Sequence, residues 1–310
     1  MRLMMFEASG GPRLGVVDGD KVIDVAAASS PDSSRARSSL HRATARVAAA
    51  DPALPKTMLA LIEAGPEALS RVAAAVKGAG DGAVQALKDV KPALPIEKPG
   101  KFICVGLNYA AHAREGGHEP PKYPSLFVRW PSSLVAAEAP VILPKVCDQL
   151  DYEAELTFVI GKGGRAIPED KGLDHVFGYT LFNDVSVRAW QRYTPQWTQG
   201  KNFDGTGPLG PVVVTPDELP AGASGLRITS RVNGETRQDS NTGDLIFGVA
   251  RLVEILSEFM TLEPGDVVAT GTPSGVAHAM KPPGWMKAGD RVEVEVEGIG
   301  ILGNPIVAES

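Results

Sequence analysis

The 310 residues carry 31 basic and 37 acidic side chains, a net charge of −6 and a pI near 5.5, which excludes a generally basic nucleic-acid-binding surface. A hydrophobic fraction of 43% exceeds what a disordered chain carries and suffices for one large or two modest cores. No stretch approaches the roughly 18 apolar residues of a membrane span, and 34 glycines with 25 prolines favour turns and short strands over a helical bundle.

The opening run MRLMMFEASGGPRLG is too briefly apolar for a secretory leader, so a cytoplasmic protein with no membrane partner is expected. Cys104 and Cys147 match neither a disulfide framework nor a metal-ligand spacing and read as free thiols of a reduced compartment. Residues 3–6, 14–17 and 21–25 are predicted strands of a small meander, with Asp18-Gly19 as a hairpin turn. Residues 26–55, rich in Ala, Ser and Arg, read as part loop and part helix. Met58, Leu61, Ile62, Leu69, Val72 and Val76 recur at helical spacing over 57–77, with Gly65-Pro66 as a break. Prolines 92, 95 and 99 then punctuate the chain, and a boundary near residue 95 is expected. It divides a small N-terminal α+β domain (1–95) from a larger one (96–310).

Beyond Lys101 the pattern is of short strands between turns: 102–105, 155–160, 177–182, 212–214, 226–232 and 267–270. Residues 291–296 alternate charge with valine, as a half-exposed strand does. One helix is predicted through Leu245, Ile246, Val249, Leu252, Val253, Leu256, Phe259 and Met260, capped by Asn241, Thr242 or Asp244. The fold class expected is mixed α/β, mainly β, as a sandwich or roll rather than a βαβ array.

The chemistry concentrates in a few segments. In Asp151-Tyr152-Glu153-Ala154-Glu155, strand alternation puts three carboxylates on one side, where they repel unless a positive charge joins them. The run enters an apolar strand, so a hard divalent cation is one answer, and an acidic solvent-facing edge strand the other. Asp184 closes the apolar run 177–182. If it opens a helix, Arg188 and Gln191 share its face and suit a substrate carboxylate; a simple N-cap is the alternative. His112 and Glu115, three apart, can pair so that the carboxylate orients a general base. His118 is a rival, and the segment Gly116-Gly117-His118-Glu119-Pro120-Pro121 has the composition of a hinged lid. Gly205 to Gly210 matches GxGxxG, but Pro208 and Pro211 interrupt it and no helix follows, so a dinucleotide site is rejected. Lys201 beside this glycine-rich run, and Thr272 in Gly271-Thr272-Pro273-Ser274-Gly275, are candidates for contacting an anion.

Taken in this order, the segments over roughly 100–308 resemble the fumarylacetoacetate hydrolase family. The resemblance implies a β-sandwich roll with a smaller N-terminal domain, a homodimer, and Mg²⁺ or Mn²⁺ (with Ca²⁺ also admissible) on Glu153, Glu155 and Asp184. It implies a His112–Glu115 catalytic dyad on a lid, Lys201 as a further catalytic group, and Arg188, Gln191 and Thr272 toward a small 2-oxo carboxylate substrate. The eukaryotic enzyme that names the family has a fourth acidic ligand where this chain has Asn108, which points to the bacterial branch with smaller substrates. The activity expected is cation-dependent cleavage of a carbon–carbon bond in an acylpyruvate or fumarylpyruvate to release pyruvate. Oxaloacetate decarboxylation and hydroxymuconate isomerisation or decarboxylation are the alternatives on the same site. Outside enzymology, the alternative is a β-rich protein with a structural Ca²⁺.

Overall fold

The structure is a computed structural model that describes residues 1–28, 54–117 and 119–310. His118, and most of the 26–55 stretch expected as loop and helix, lie outside the described residues.

The meander forms as its pattern dictates: strands Arg2–Phe6, Arg13–Asp18 and Lys21–Asp24 pair antiparallel in sequence. Arg2–Phe6 also pairs with Gly207–Val214, so these strands extend the main sheet. Beyond Gly207–Val214 the sheet continues through Val176–Asn183, Ala154–Ile160, Val267–Ala269, Phe102–Gly106 and Ser125–Val128. The segment around residue 95 lies between the short Pro92–Ala93 strand and Phe102–Gly106. The helix Met58–Lys77 is capped by Thr57 and breaks at Gly65, whose φ of 77° no regular helix tolerates.

A second sheet orders Glu235–Asn241, Arg227–Val232, Arg291–Val296, Gly300–Ala308 and Val141–Leu143. Val292, Val294 and Val296 are buried while their charged neighbours are half-buried, as the alternation requires. Leu156, Phe158 and Ile160 from the main sheet meet Ile228, Val294 and Leu302 from the second in one core, with Leu252, Val253 and Leu256 of a helix packed beside them. The fold is thus mainly β, two sheets around a shared core with few helices. Among the described residues, no helix is long and apolar enough to cross a membrane.

Two expectations need correction. The helix predicted from Leu245 starts at Val249 and ends at Phe259, with Gly248 at its N-cap; Asn241 caps a separate turn, Thr242–Asp244. Asn108 causes the delay. Its main-chain carbonyl takes the Ile246 N–H at 2.8 Å and its side-chain oxygen the Phe247 N–H at 2.8 Å, which holds Leu245 in a bridge with Tyr109 and 246–247 in a bend. Asp184, likewise, opens no helix. Its N–H donates to the Glu153 carbonyl at 3.0 Å, Ser186–Val187 then pairs with Leu150–Asp151, and the helix begins only at Arg188.

Candidate metal and catalytic site

The site is built where strands end. Glu155 projects from the fully buried strand Ala154–Ile160, on the face opposite Leu156 and Phe158. Asp184 follows Val176–Asn183, the antiparallel neighbour of that strand. Register brings the two ends together: Ala154 opposes Asn183, and the Asn183 side chain accepts the Glu153 N–H at 3.0 Å. Carboxylate oxygens of Glu153, Glu155 and Asp184 therefore lie within 4.8 Å of one another, all buried.

Repulsion among them is offset by buried cations. Lys201 donates to Glu153 at 2.7 Å and to Asp184 at 2.6 Å. Arg188 donates through Nη2 to Glu153 at 2.5 Å, and Arg129 through Nε to Asp184 at 2.8 Å. Burial alone pushes the Glu153 carboxyl up, yet Lys201, Arg188 and His112 together hold it well below the usual carboxylate range. Burial also opposes charge on Lys201, but Asp184 and Glu153 raise its ammonium above the ordinary value. Glu155 has no cationic partner among the described residues and accepts the Gly271 N–H at 2.9 Å. Burial first, then Asp184 and Glu153, push its carboxyl well above the usual range. A buried carboxylate short of a counter-charge, beside two that are paired with buried cations, is the setting a hard divalent cation completes. No His or Cys joins the cluster, which disfavours zinc.

Asp151, expected beside Glu153 and Glu155, is turned away from the cluster. It is fully buried, accepts Arg188 Nε at 2.8 Å, and takes the main-chain N–H groups of Ala277 at 2.7 Å and His278 at 3.1 Å. Arg188 and Gln191 do meet, at 2.8 Å. Arg188 thus commits three donors to protein groups, and burial is outweighed by Asp151 and Glu153, so its pKa rises.

His112 and Glu115 pair on the helix Ala110–Glu115 at 3.3 Å, and the other Glu115 oxygen accepts the Gly275 N–H at 2.9 Å. Thr272 accepts from Gln238 Nε2 at 2.7 Å, which leaves its own hydroxyl proton free. Gly271 has φ of +98°, and a Cβ there would stand 2.8 Å from the Val105 carbonyl, so glycine is required where the chain turns its N–H toward Glu155. A cavity of about 200 Å³ is lined by His112, Glu153, Glu155, Arg188, Gln191, Lys201 and Thr272. Three short helices, Ala110–Glu115, Arg188–Gln191 and Thr198–Lys201, the loop at Thr272 and the start of Ala154–Ile160 thus bring most of the sequence-derived residues together, while Asp184 and Glu115 are not among the lining residues.

Some residues of the site were not legible. Arg129 and Gln238 are buried, but nothing in their spacing ties them to partners 55 and 84 positions away in Asp184 and Ala154. Arg192, Trp197 and His278 also line the cavity.

Residues 101–307 match the family model described as fumarylacetoacetate (FAA) hydrolase C-terminal. The chain is 38% identical to the mitochondrial oxaloacetate tautomerase fahd2 of Xenopus laevis, over 99% of this chain and 90% of the relative. Fumarylacetoacetate hydrolase from psychrophilic Exiguobacterium antarcticum superposes with a TM-score of 0.79 at 34% identity, over the full length of both chains. Maleylpyruvate hydrolase from Sphingobium sp. SYK-6, solved in complex with manganese(II) and pyruvate, superposes with a TM-score of 0.77 at 30% identity, again over both full lengths.

Proposed function

The chain belongs to the fumarylacetoacetate hydrolase family, and on that footing we propose that it is an enzyme of keto–enol chemistry, moving a proton on a small 2-oxo carboxylate with the help of Mg²⁺ or Mn²⁺. The observation that carries this reading is the buried triad Glu153, Glu155 and Asp184, two of whose members line one small cavity together with His112, which Glu115 engages. Glu153, Glu155 and Asp184 would hold the cation; when bound, it polarises the oxygens of the 2-oxo acid and favours charge on them. Glu115 engages Nδ1 of His112 and leaves Nε2 for the substrate. There His112 takes the proton from the carbon next to the keto group and returns it to the keto oxygen, the enol's own O–H. Gln238 aims the Thr272 hydroxyl, which donates to substrate oxygen. Lys201 holds Glu153 and Asp184 in place through two of its protons, with its third proton free for an oxyanion.

Oxaloacetate tautomerisation was not among the activities expected from the sequence; the likeness to the oxaloacetate tautomerase of Xenopus laevis supports it. Carbon–carbon hydrolysis of an acylpyruvate is the second reading, supported by the full-length likeness to maleylpyruvate hydrolase. It needs His112 to deprotonate water instead of carbon. Decarboxylation of oxaloacetate uses the same binding end and no base. A β-rich protein with structural Ca²⁺ leaves the His112–Glu115 pair and its cavity without a task. The homodimer and the cytoplasmic setting belong to the same proposal.

The test is a panel of oxaloacetate, acetylpyruvate and fumarylpyruvate, followed optically with and without chelator. Enol–keto conversion restored by Mn²⁺ and lowered roughly 10²-fold or more by His112→Ala is the expected result, the usual size of general-base catalysis. Equal rates in wild type and His112→Ala refute the base, and rates indifferent to chelator refute the cation.

A further inference from the structure

Around the triad four buried carboxylates, of Asp151, Glu153, Glu155 and Asp184, meet three buried cations, Arg129, Arg188 and Lys201. One negative charge is therefore left over, and a divalent cation converts it to one positive charge. A second positive charge stands at the cavity mouth. Arg192 ends the helix Arg188–Gln191, lines the cavity, and has no acidic partner within ion-pair distance among the described residues. Its Nη2 instead donates to Nε2 of His278. His278 is held on three sides. Its ring stacks on Trp285 at 6.0 Å and 19°, its N–H is fixed by Asp151, and its ring nitrogen takes the Arg192 proton. Burial and the neighbouring Arg192 and Arg188 push its pKa down, which keeps that nitrogen an acceptor.

A guanidinium steered toward a cavity by a neutral imidazole, with no carboxylate to answer it, is a receptor for an anion. The loaded site then carries positive charge at the triad and at the mouth, against one further carboxylate, Glu115, which is already engaged by His112 and the Gly275 N–H. The cavity is small, about 200 Å³, so both charges act on one small molecule. We propose that Arg192, positioned by His278, binds a second carboxylate at the far end of the substrate and so selects 2-oxo dicarboxylates over 2-oxo monocarboxylates. This rests on the reading of the triad end as the site of the 2-oxo carboxylate.

Lactate and malate test it, because they differ by one carboxylate and neither is turned over by keto–enol chemistry. Calorimetric titration with Mn²⁺ present is expected to show malate bound more tightly than lactate by wild type. Arg192→Gln should cost malate roughly 10–100-fold in affinity and lactate less than about threefold, the scale of a charge-assisted hydrogen bond. Arg192→Lys should recover part of the preference, and His278→Ala should lose part of it. No preference for malate in wild type, or equal losses for both acids in Arg192→Gln, overturns the proposal. A malate preference that follows Arg192, in a protein that tautomerises no 2-oxo acid, upholds the subsite and refutes the activity instead.

Discussion

Glu155→Gln separates what the triad costs the fold from what it does for a cation. Glu155 is buried, faces Asp184 and Glu153, and has no cation within ion-pair distance among the described residues, Lys201 only partly offsetting the repulsion. Its carboxyl ionises well above its ordinary value, so the sign of its effect on stability is fixed. In the unfolded chain it ionises near the ordinary value of about 4.3. Below that pH both states are protonated and its contribution is complete. As pH rises toward and through the raised folded value, the unfolded state gains and the metal-free protein loses stability. Glutamine keeps the shape and can still accept the Gly271 N–H, but carries no charge. The variant should therefore match wild type near pH 5 and exceed it at pH 8. An unsatisfied buried polar group costs about 1–3 kcal/mol and a charged one more, so the gap is at least about 2–6 °C in Tm at the shallow slope of a large chain. Saturating Mn²⁺ should reverse the order, since about 100-fold excess over Kd stabilises wild type by about 2.7 kcal/mol and the variant has lost a ligand. Differential scanning calorimetry with chelator and with Mn²⁺, at both pH values, reads all four conditions. A Tm difference that does not change with pH, or an undiminished Mn²⁺ response in the variant, refutes the assignment of Glu155.

Other perturbations follow from the same geometry. Arg129→Met removes a buried donor to Asp184, to the Val185 carbonyl and to Thr206, and should lower stability by roughly 3 kcal/mol or more in denaturant titration. Gly271→Ala should reduce Mn²⁺ affinity as well as stability, because its Cβ meets the Val105 carbonyl and shifts the N–H that Glu155 accepts; titration of Mn²⁺ into the folded variant checks it. Glu115→Ala frees both His112 and the Gly275 N–H, so amide exchange over 110–117 should quicken. Oxalate with Mg²⁺ should slow exchange of the same amides in wild type, and equal, strong protection with and without oxalate would show a fixed wall instead of a lid.

The carboxylates were legible because strand periodicity is strict. Glu153 and Glu155 sit two apart before an apolar run, and Asp184 ends the next one, so neighbouring strand ends deliver them to one place. His112 and Glu115 were legible for the same reason, since three residues on a helix span one contact. The misreadings arose where a long-range hydrogen bond overrode a local pattern. Leu245 and Ile246 have helical spacing, but Asn108, 138 positions before Ile246, takes their chain segment into an extended bridge. Asp184 has the composition of an N-cap, but the Glu153 carbonyl claims its N–H. Arg129 and Gln238 offered no pattern at all, because a single polar residue beside or within a strand looks the same whether it meets water or a buried partner.

That difference also explains how the site divides its work. The groups that must hold a small cation stand on paired strand ends, where ladder bonds on both sides fix the backbone. The groups that meet substrate stand on short helices and loops: His112 on a six-residue helix, Arg192 at the end of a four-residue one, Thr272 and His278 on the stretch after Val267–Ala269. Asp151 couples the two sets. One carboxylate grips Arg188, which grips Glu153, and the same carboxylate pins the N–H groups of Ala277 and His278. A displacement at the cation end is thereby transmitted to the ring that orients Arg192, without passing through the substrate. Asp151→Asn removes the charge that answers Arg188, and because both carboxylate oxygens accept, from the Ala277 N–H on one side and from Arg188 Nε and the His278 N–H on the other, its NH2 must face a donor. It should therefore loosen both ends together, and a loss of Mn²⁺ affinity with the malate-over-lactate preference intact would break the coupling argued here.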